Sequence, residues 1–351
     1  MNTNTPWQDR FPVDAALLPF SVDVNADQVI LVRLSEEDYR NISFLDQRII
    51  TPQLPRQVVD WEEIAAIPIS EQSQPHYIFH IGHVGSTLIS RLLGEHQTIL
   101  ALREPAILRQ ISDLRVTNNE QAAAWNRDNF VDRLNKTQNW LSRSFHPNQT
   151  VMIKASSFVS PLAENLLGNS GKALFLYTSF ERYLQTILAG EASIREADAL
   201  VDLRLLRVNR YLEHDQINKS DLSPVQKIGL GWICEMTTLT RAFDNLKQAT
   251  IRWMDFDSFL SDPTAQLKIA TDHFDLEIST QNIADLVSGP IMNSYSKAPE
   301  YDYSPSLRED LLAEAAQNHF QAIRDTMHWI EKMAKDHKAI ARAMEQVETR
   351  P

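Results

Sequence analysis

From residue 77 onward, short apolar runs alternate with longer amphipathic segments, and this alternation restricts the possible folds more than any other feature of the sequence. Short runs without alternating polar positions are typical of strands that are buried on both faces. The amphipathic segments between them supply helices that cover those faces. The pattern predicts an α/β fold with a central parallel sheet flanked by helices. The predicted strands are 77–81, 98–102, 151–154, 173–177 and 250–254.

Residues 1–75 have a different pattern, with β-type runs at 29–32 and 41–50 and a closing stretch that contains several prolines. Such runs, bounded by turn-forming residues, predict short strands. We therefore expect a small N-terminal cap with short strands at 1–75, followed by a main domain at 76–351.

Within the main domain, the segments 105–147 and 190–247 carry charged and aromatic residues at helical spacing. We expect both to be helical insertions that shape a substrate pocket. Ser223 precedes a proline and predicts the start of a long helix, because serine is a good N-cap residue and proline fits the first turn. The chain beyond residue 307 predicts one or two helices that end in a charged, frayed stretch at 335–351.

The chain of 351 residues carries a formal net charge of −12 and a single cysteine, Cys234. Binding to a long polyanion needs concentrated Lys and Arg, so we expect no nucleic-acid partner. One cysteine excludes an intrachain disulfide and a multi-cysteine zinc site. The first residues lack a signal-peptide pattern and no stretch is apolar enough for a membrane span, so we expect a cytoplasmic protein without a membrane partner. The sequence does not indicate the oligomeric state.

The segment after the first predicted strand of the main domain contains two glycines and two hydroxyl residues, in the order Gly82-His83-Val84-Gly85-Ser86-Thr87. Glycines let the main chain turn tightly and approach a ligand closely. The N–H groups that begin the following helix lie at the positive end of its dipole and can bind an anion. The segment therefore predicts a phosphate-binding loop, with Ser86 and Thr87 as hydroxyl donors and His83 as a cation when protonated.

Other interpretations of this loop stay open. A nucleoside triphosphatase loop of the GxxxxGK[ST] type requires a lysine where this chain has Ser86, which disfavours hydrolysis of ATP or GTP. A plain strand-to-helix turn uses its glycines for packing and its hydroxyls as caps. A metal site at His80 and His83 lacks a nearby carboxylate or cysteine, so we expect no bound metal.

The run from 79 to 93 resembles the 5′-phosphosulfate loop of the P-loop sulfotransferases, in which a proline, a basic residue, a glycine and hydroxyl residues precede an amphipathic helix. Gly85 and the hydroxyl pair that follows it match this pattern, whereas Gly82 replaces the usual proline and His83 the usual Arg or Lys. The resemblance covers residues 76–300 and is closest in layout to the tyrosylprotein and bacterial branch. It implies a three-layer fold like that of the P-loop sulfotransferases. It also implies a protein that uses 3′-phosphoadenosine 5′-phosphosulfate as co-substrate and needs no metal.

Two further segments resemble catalytic elements of that family. Glu104, after the second strand, is similar to the catalytic glutamate of the tyrosylprotein branch, which implies a general base. Lys154, at a strand end, resembles the lysine near the transferred sulfonate and implies a group that neutralises developing charge. His83 is the third residue that the resemblance assigns to catalysis. The alternatives are that Glu104 only starts a helix and that Lys154 is a solvated strand terminus.

The segment from 173 to 186 resembles the one that binds the 3′-phosphate, with an arginine at the strand end and a serine eight residues later. Thr178 and Thr186 occupy those two positions, and Arg182 is our candidate for the missing arginine, although a surface ion pair is its alternative role. We also expect Ser296 and Lys297 to close over the nucleotide. The residues assigned to the co-substrate are therefore Gly82, His83, Val84, Gly85, Ser86, Thr87, Thr178, Arg182, Thr186, Ser296 and Lys297.

Together these resemblances imply a sulfotransferase that moves a sulfonate to a hydroxyl or amine of a small molecule or peptide. The loss of both family cations, at His83 and Thr178, leaves two alternatives. One is a degenerate relative that serves as a binding or scaffold protein, and the other is a P-loop enzyme that uses another nucleotide. The acceptor is not predicted, because 105–147 and 190–247 contain no readable motif.

Overall fold

The computed structural model describes residues 6–69, 73–117, 125–126, 128–212, 216–293 and 304–348. Its strands, in chain order, are β1 (Leu17–Asp23), β2 (Gln28–Arg33), β3 (Arg56–Asp60), β4 (His76–His80), β5 (Ile99–Arg103), β6 (Thr150–Lys154), β7 (Lys172–Tyr177) and β8 (Thr250–Asp255). Its α-helices are α1 (Trp7–Arg10), α2 (Glu36–Asn41), α3 (Trp61–Ala65), α4 (Ser86–Gly94), α5 (Ala106–Thr117), α6 (Phe130–Leu141), α7 (Ala163–Leu167), α8 (Phe180–Leu188), α9 (Glu191–Ala199), α10 (Val201–Val208), α11 (Pro224–Asn245), α12 (Phe256–Ser261), α13 (Pro263–His273), α14 (Thr280–Ser288), α15 (Pro305–Asn318), α16 (Phe320–Asp336) and α17 (Lys338–Glu348).

The main sheet is parallel and contains five strands in the order β5-β6-β4-β7-β8. Its strands coincide with the five predicted from apolar runs, and β5 is buried along its whole length. Lys154 at the end of β6 pairs in register with Ile78 of β4 and with Arg103 of β5. The predicted α/β fold with a central parallel sheet flanked by helices is therefore confirmed.

A second, antiparallel sheet is formed by β1, β2 and β3, in that order. The predicted strand 29–32 lies within β2, where Val29, Leu31 and Val32 are buried. An N-terminal part that contains short strands is therefore confirmed.

The predicted strand at 41–50 is wrong. This segment begins at the last residue of α2 and contains a 3-10 turn at Gln47–Ile49. Ser35 and Asp38 form a capping box that starts α2, and the Asp46 side chain accepts a hydrogen bond from the Arg48 N–H at the turn. These local side-chain hydrogen bonds favour helical turns over an extended chain.

The helix starts agree with their capping signals. Ser223 accepts a hydrogen bond from the Gln226 N–H in a capping box, and α11 begins at the proline that follows, as predicted.

The C-terminal chain is more helical than predicted, because it forms α15, α16 and α17. A frayed end is wrong for residues 338–348, since α17 buries Ile340 and Ala343. An amphipathic helix that buries apolar side chains is held by packing.

The chain divides into two compact units. The first comprises the described residues of Met1–Phe79, Thr87–Ala173 and Gln248–Thr250, and the second those of His80–Ser86, Leu174–Lys247 and Ile251–Pro351. The predicted boundary between 75 and 76 stays a prediction. Within the described ranges, no helix is long and apolar enough to cross a membrane.

Each unit has a core of its own. In the first, the buried guanidinium of Arg143 donates hydrogen bonds to the carbonyl oxygens of Phe11, Asp14, Leu17 and Trp140, which holds the N-terminal segment in place. In the second, α11 is buried along most of its length and packs against α8, α10, α16 and α17.

Candidate functional site

The predicted phosphate loop connects the end of β4 to the start of α4. Gly82, His83 and Gly85 all have positive φ angles, of 88°, 56° and 62°. Glycine adopts such angles readily, whereas a histidine there is uncommon. The Gly82 N–H donates a hydrogen bond of 3.0 Å to Nδ1 of His80, which fixes the first turn of the loop. The loop is therefore a tightly wound segment and not a plain extended connection.

The helix that follows the loop presents donors at its first turn. The N–H groups of Ser86, Thr87 and Leu88 have no partner within α4, because the first turn of a helix lacks preceding carbonyls. They lie at the positive end of the helix dipole. Thr87 is buried, and its Oγ1 has no hydrogen-bond partner in the described part of the chain. This hydroxyl is therefore available to hydrogen-bond to a ligand or to water.

Gly85 is required at its position for a second reason. A Cβ added there would lie 1.8 Å from Cε2 of Phe256, so no larger residue fits while this ring stays in place. Phe256 is the first residue of α12 and is buried. Gly82, His83 and Gly85 are each partly exposed, so the loop stays accessible on its other face.

His83 has an acidic neighbour in the second unit. Its Nε2 lies 3.8 Å from Oε2 of Glu196 on α9, and the two groups form an ion pair when the imidazole is protonated. The Glu196 side chain is 55% exposed, so this pair contributes little to folding stability. A protonated His83 would supply charge at the loop position where the family has an arginine or lysine.

Glu104 and Lys154, the two residues predicted to act in catalysis within the first unit, are in direct contact. The ammonium of Lys154 donates a hydrogen bond to Oε1 of Glu104, and the Glu104 N–H donates one of 2.7 Å to the main-chain oxygen of Lys154. The Lys154 side chain is 1% exposed and that of Glu104 is 19% exposed. A lysine this buried requires a carboxylate partner. The interpretation of Lys154 as a solvated strand terminus is therefore wrong.

The main chain at Glu104 is held in an uncommon conformation, with φ at 54°. The N–H of Leu45 donates a hydrogen bond of 2.7 Å to the carbonyl of Arg103, and the N–H of Ala106 donates one of 3.0 Å to the carbonyl of Leu45. The bend that carries the carboxylate is therefore fixed on both sides. Strained main-chain geometry of this kind is concentrated at functional sites.

Arg103 anchors the same bend through its side chain. The buried guanidinium donates hydrogen bonds to the carbonyls of Tyr39, Arg40 and Ile42 at the end of α2, with the Arg40 and Ile42 bonds at 2.8 Å. Burial lowers the pKa of Arg103 to about 10. This residue was not predicted from the sequence, although an arginine inside an apolar strand and next to Glu104 is a signal for such an anchor.

In the second unit, Thr178 and Arg182 meet at one carboxylate. The Thr178 hydroxyl and the Arg182 Nε donate hydrogen bonds of 3.0 and 3.3 Å to Oδ2 of Asp257, at the start of α12. Arg308 of α15 lies 2.9 Å from the other oxygen of the same carboxylate. Neither Asp257 nor Arg308 was predicted from the sequence.

The remaining predicted residues are not part of this cluster. The Thr186 hydroxyl donates a hydrogen bond of 2.8 Å to the main-chain oxygen of Arg182, within α8. Ser296 and Lys297 lie outside the described residues. Among the described residues, no group of three or more His, Cys, Asp or Glu side chains is arranged to hold a metal ion.

No family model matches the chain, and no curated protein matches its sequence. Among solved structures it is similar to a sulfotransferase domain from the curacin biosynthetic pathway, with 13% identity and a TM-score of 0.42 over 71% of this chain and 98% of that one. It is also similar to a sulfotransferase from Alicyclobacillus acidocaldarius, with 13% identity and a TM-score of 0.35 over 72% of this chain and 96% of that one. A third is the sulfotransferase STF9 from Mycobacterium avium, with 12% identity and a TM-score of 0.36 over 71% of this chain and 77% of that one.

Proposed function

We propose that the chain is a sulfotransferase that moves a sulfonate from 3′-phosphoadenosine 5′-phosphosulfate to a hydroxyl or amine of a small molecule or peptide. The observation that carries this proposal is the loop between β4 and α4, with its positive φ angles at Gly82, His83 and Gly85. Together with the first turn of α4, this geometry is suited to bind an oxyanion through main-chain N–H groups.

The loop fits the phosphosulfate end of the co-substrate. The N–H groups of Ser86, Thr87 and Leu88 and the unpartnered hydroxyl of Thr87 are the donors available there. Fixed donors of this kind stabilise charge that develops on oxygen during group transfer, because they do not reorganise when the reaction occurs. Their role is to bind and orient the phosphosulfate group.

In this proposal Glu104 is the general base and Lys154 is the cation beside the reacting group. The acceptor oxygen bonds to the sulfur while the bond between the sulfur and the phosphate oxygen of the co-substrate breaks. Glu104 accepts the proton that the acceptor hydroxyl loses in this step. General-base catalysis of this type contributes about 10²–10⁴-fold. The ammonium of Lys154 holds the Glu104 carboxylate and supplies positive charge that neutralises the charge developing on the transferred group.

Thr178 and Arg182, which were predicted to bind the 3′-phosphate, hydrogen-bond to a carboxylate of the protein and therefore do not fit that group in this arrangement. Thr178, Arg182 and Arg308 all contact Asp257, and Arg182 also lies 3.3 Å from Glu309. Two arginines therefore face two carboxylates, which leaves no excess positive charge for a phosphate dianion. A 3′-phosphate must displace the Asp257 carboxylate to reach these donors.

The same observation favours a second candidate function, a nucleotide-binding protein that does not catalyse sulfonate transfer. If Asp257 keeps its contacts, the loop can hold an adenosine 5′-phosphate group while the 3′ position stays closed. This candidate covers both the degenerate binding protein and an enzyme that uses another nucleotide. It predicts binding of adenosine 5′-monophosphate without sulfonate transfer.

A turnover assay separates the two candidates. The protein is incubated with 3′-phosphoadenosine 5′-phosphosulfate and a panel of phenols, alcohols, amines and tyrosine peptides, and release of adenosine 3′,5′-bisphosphate is measured. The proposal expects acceptor-dependent release that falls by about 10²–10⁴-fold in Glu104→Gln. Absence of release across the panel, with a folded protein that binds adenosine 5′-monophosphate, would favour the second candidate.

A further inference from the structure

Arg204 is a buried cation in which two guanidinium nitrogens lack a hydrogen-bond partner. It lies on α10 in the second unit and is 8% exposed. Its Nε and Nη1 are buried and form no hydrogen bond in the described part of the chain. Arginine is almost never buried unless it is paired, because an isolated charge loses its hydration on burial. The environment of Arg204 is therefore incomplete without an anion.

The guanidinium converges with a second donor on the surface of α11. A Cβ added at Gly231 would lie 2.8 Å from Cζ of Arg204 and 2.7 Å from Oη of Tyr183. The absence of a side chain at Gly231 therefore allows the Arg204 guanidinium and the Tyr183 hydroxyl to approach the same point on the surface of α11. Tyr183 comes from α8 and is 1% exposed, and burial raises the pKa of its phenol, so it remains a neutral O–H donor.

The neighbouring charges do not neutralise Arg204. The carboxylate of Glu235, one turn further along α11, is engaged by Arg207 through hydrogen bonds of 2.7 and 2.9 Å. Cys234 supplies no anion at neutral pH, because burial raises the pKa of its thiol to about 12. Arg204 and Arg207 thus share one buried carboxylate, that of Glu235, and the other carboxylate that acts on Tyr183, Glu196, is 55% exposed.

We propose that Arg204 and the Tyr183 hydroxyl bind the oxyanion of a small ligand, a carboxylate, sulfate or phosphate group. A guanidinium and a phenol are a suitable donor pair for such a group, and the hydrogen bonds from Arg204 are charge-assisted. Glu196, which acts electrostatically on Tyr183, lies 3.8 Å from His83 of the loop. Under the proposed function the oxyanion belongs to the acceptor, and that assignment rests on the sulfotransferase activity.

The anion site is tested by titrating the full chain with sodium sulfate and with sodium acetate at constant ionic strength, with thermal unfolding as the readout. We expect a saturable rise in Tm for the wild type, and an apparent Kd at least about tenfold weaker in Arg204→Met. Tyr183→Phe keeps the ring and weakens binding to a smaller extent. Arg195→Met, which removes an exposed arginine of α9, serves as the control and leaves the response unchanged.

The test must separate anion binding at Arg204 from a loss of folding and from anion binding at the loop. Arg204→Met removes an unpaired buried charge, so we expect it to fold and to raise the Tm of the anion-free protein. The titrations are repeated in Thr87→Val, which weakens anion binding at the loop and leaves Arg204 in place. An equal response of the wild type and Arg204→Met to both anions, in both backgrounds, would overturn the proposal.

A nucleotide titration identifies the source of the oxyanion. If it belongs to the acceptor, Arg204→Met binds adenosine 3′,5′-bisphosphate within about threefold of the wild type. A loss of tenfold or more in that variant instead assigns the oxyanion to the nucleotide. If no variant binds the bisphosphate, the sulfotransferase proposal fails, while the sulfate and acetate titrations still decide whether Arg204 binds anions.

Discussion

At the scale of single residues, the loop depends on main-chain conformations that most side chains disfavour. Gly85 combines a positive φ of 62° with the ring of Phe256, which occupies the space that a Cβ would need. His83 adopts a similar φ without the freedom of glycine. Strain of this kind persists only where the surrounding structure enforces it, and it is concentrated at binding and catalytic sites.

The close contact at Gly85 leads to a first prediction. Gly85→Ala should destabilise the protein by roughly 1–3 kcal/mol beyond the strain of a positive φ, because the methyl group overlaps Phe256. Gly168→Ala is the matched control, since Gly168 also has a positive φ, of 50°, but a Cβ there meets nothing within 4 Å. The free energies of unfolding are compared by urea denaturation. Equal losses in the two variants would mean that Phe256 does not confine the loop.

The contact between Glu104 and Lys154 leads to a second prediction. Glu104→Gln removes the carboxylate that the buried ammonium of Lys154 contacts, so stability should fall by about 1–3 kcal/mol as well as activity. Glu191→Gln, at a carboxylate side chain that is 90% exposed, is the control and should change stability by less than about 0.5 kcal/mol. Urea denaturation measures both variants. An unchanged stability of Glu104→Gln would show that the pair is not formed in solution.

At the scale of helices and strands, Asp257 joins three helices of the second unit. Its carboxylate at the start of α12 contacts Arg182 of α8 and Arg308 of α15, and Thr178 just before α8. The arrangement resembles an anion-binding cluster in which a side chain of the protein supplies the anion. It explains how Thr178 and Arg182 come together without a bound phosphate.

A third prediction concerns this cluster. Asp257→Asn removes one of the two carboxylates that face Arg182 and Arg308, so that Glu309 alone remains and one positive charge is left to attract a phosphate. We expect adenosine 3′,5′-bisphosphate to bind about tenfold more tightly relative to adenosine 5′-monophosphate than in the wild type, as measured by calorimetric titration. Asp198→Asn, at an exposed carboxylate paired with Lys227, is the control. An unchanged ratio of the two affinities would contradict a competition between Asp257 and the 3′-phosphate.

The sequence predicted the strands of the main sheet well, because strands buried on both faces are continuous apolar runs that few other structures produce. It failed at 41–50, where capping by Ser35 and Asp46 decided the structure. The contact between Lys154 and Glu104 was not predicted from spacing, although the resemblance assigned both to catalysis. Asp257 and Arg204 were missed because their roles depend on partners from other helices.

At the scale of the whole molecule, the residues named in the proposal belong to two compact units. The first contains Glu104 and Lys154, each following or ending a parallel strand. The second contains the loop up to Ser86, the Asp257 cluster and the unpaired Arg204. In α/β folds, ligands bind beyond the carboxyl ends of the parallel strands, which is where the loop leaves β4.

The central claim is that the loop between β4 and α4 binds the 5′ end of an adenosine nucleotide. Calorimetric titration of the full chain with adenosine 3′,5′-bisphosphate and with adenosine 5′-monophosphate tests it most directly, with Thr87→Val as the variant and circular dichroism as the control for folding. We expect saturable binding of at least one nucleotide by the wild type and an affinity about tenfold lower in Thr87→Val. No saturable heat with either nucleotide from folded wild-type protein, or equal affinities in both proteins, would contradict the claim.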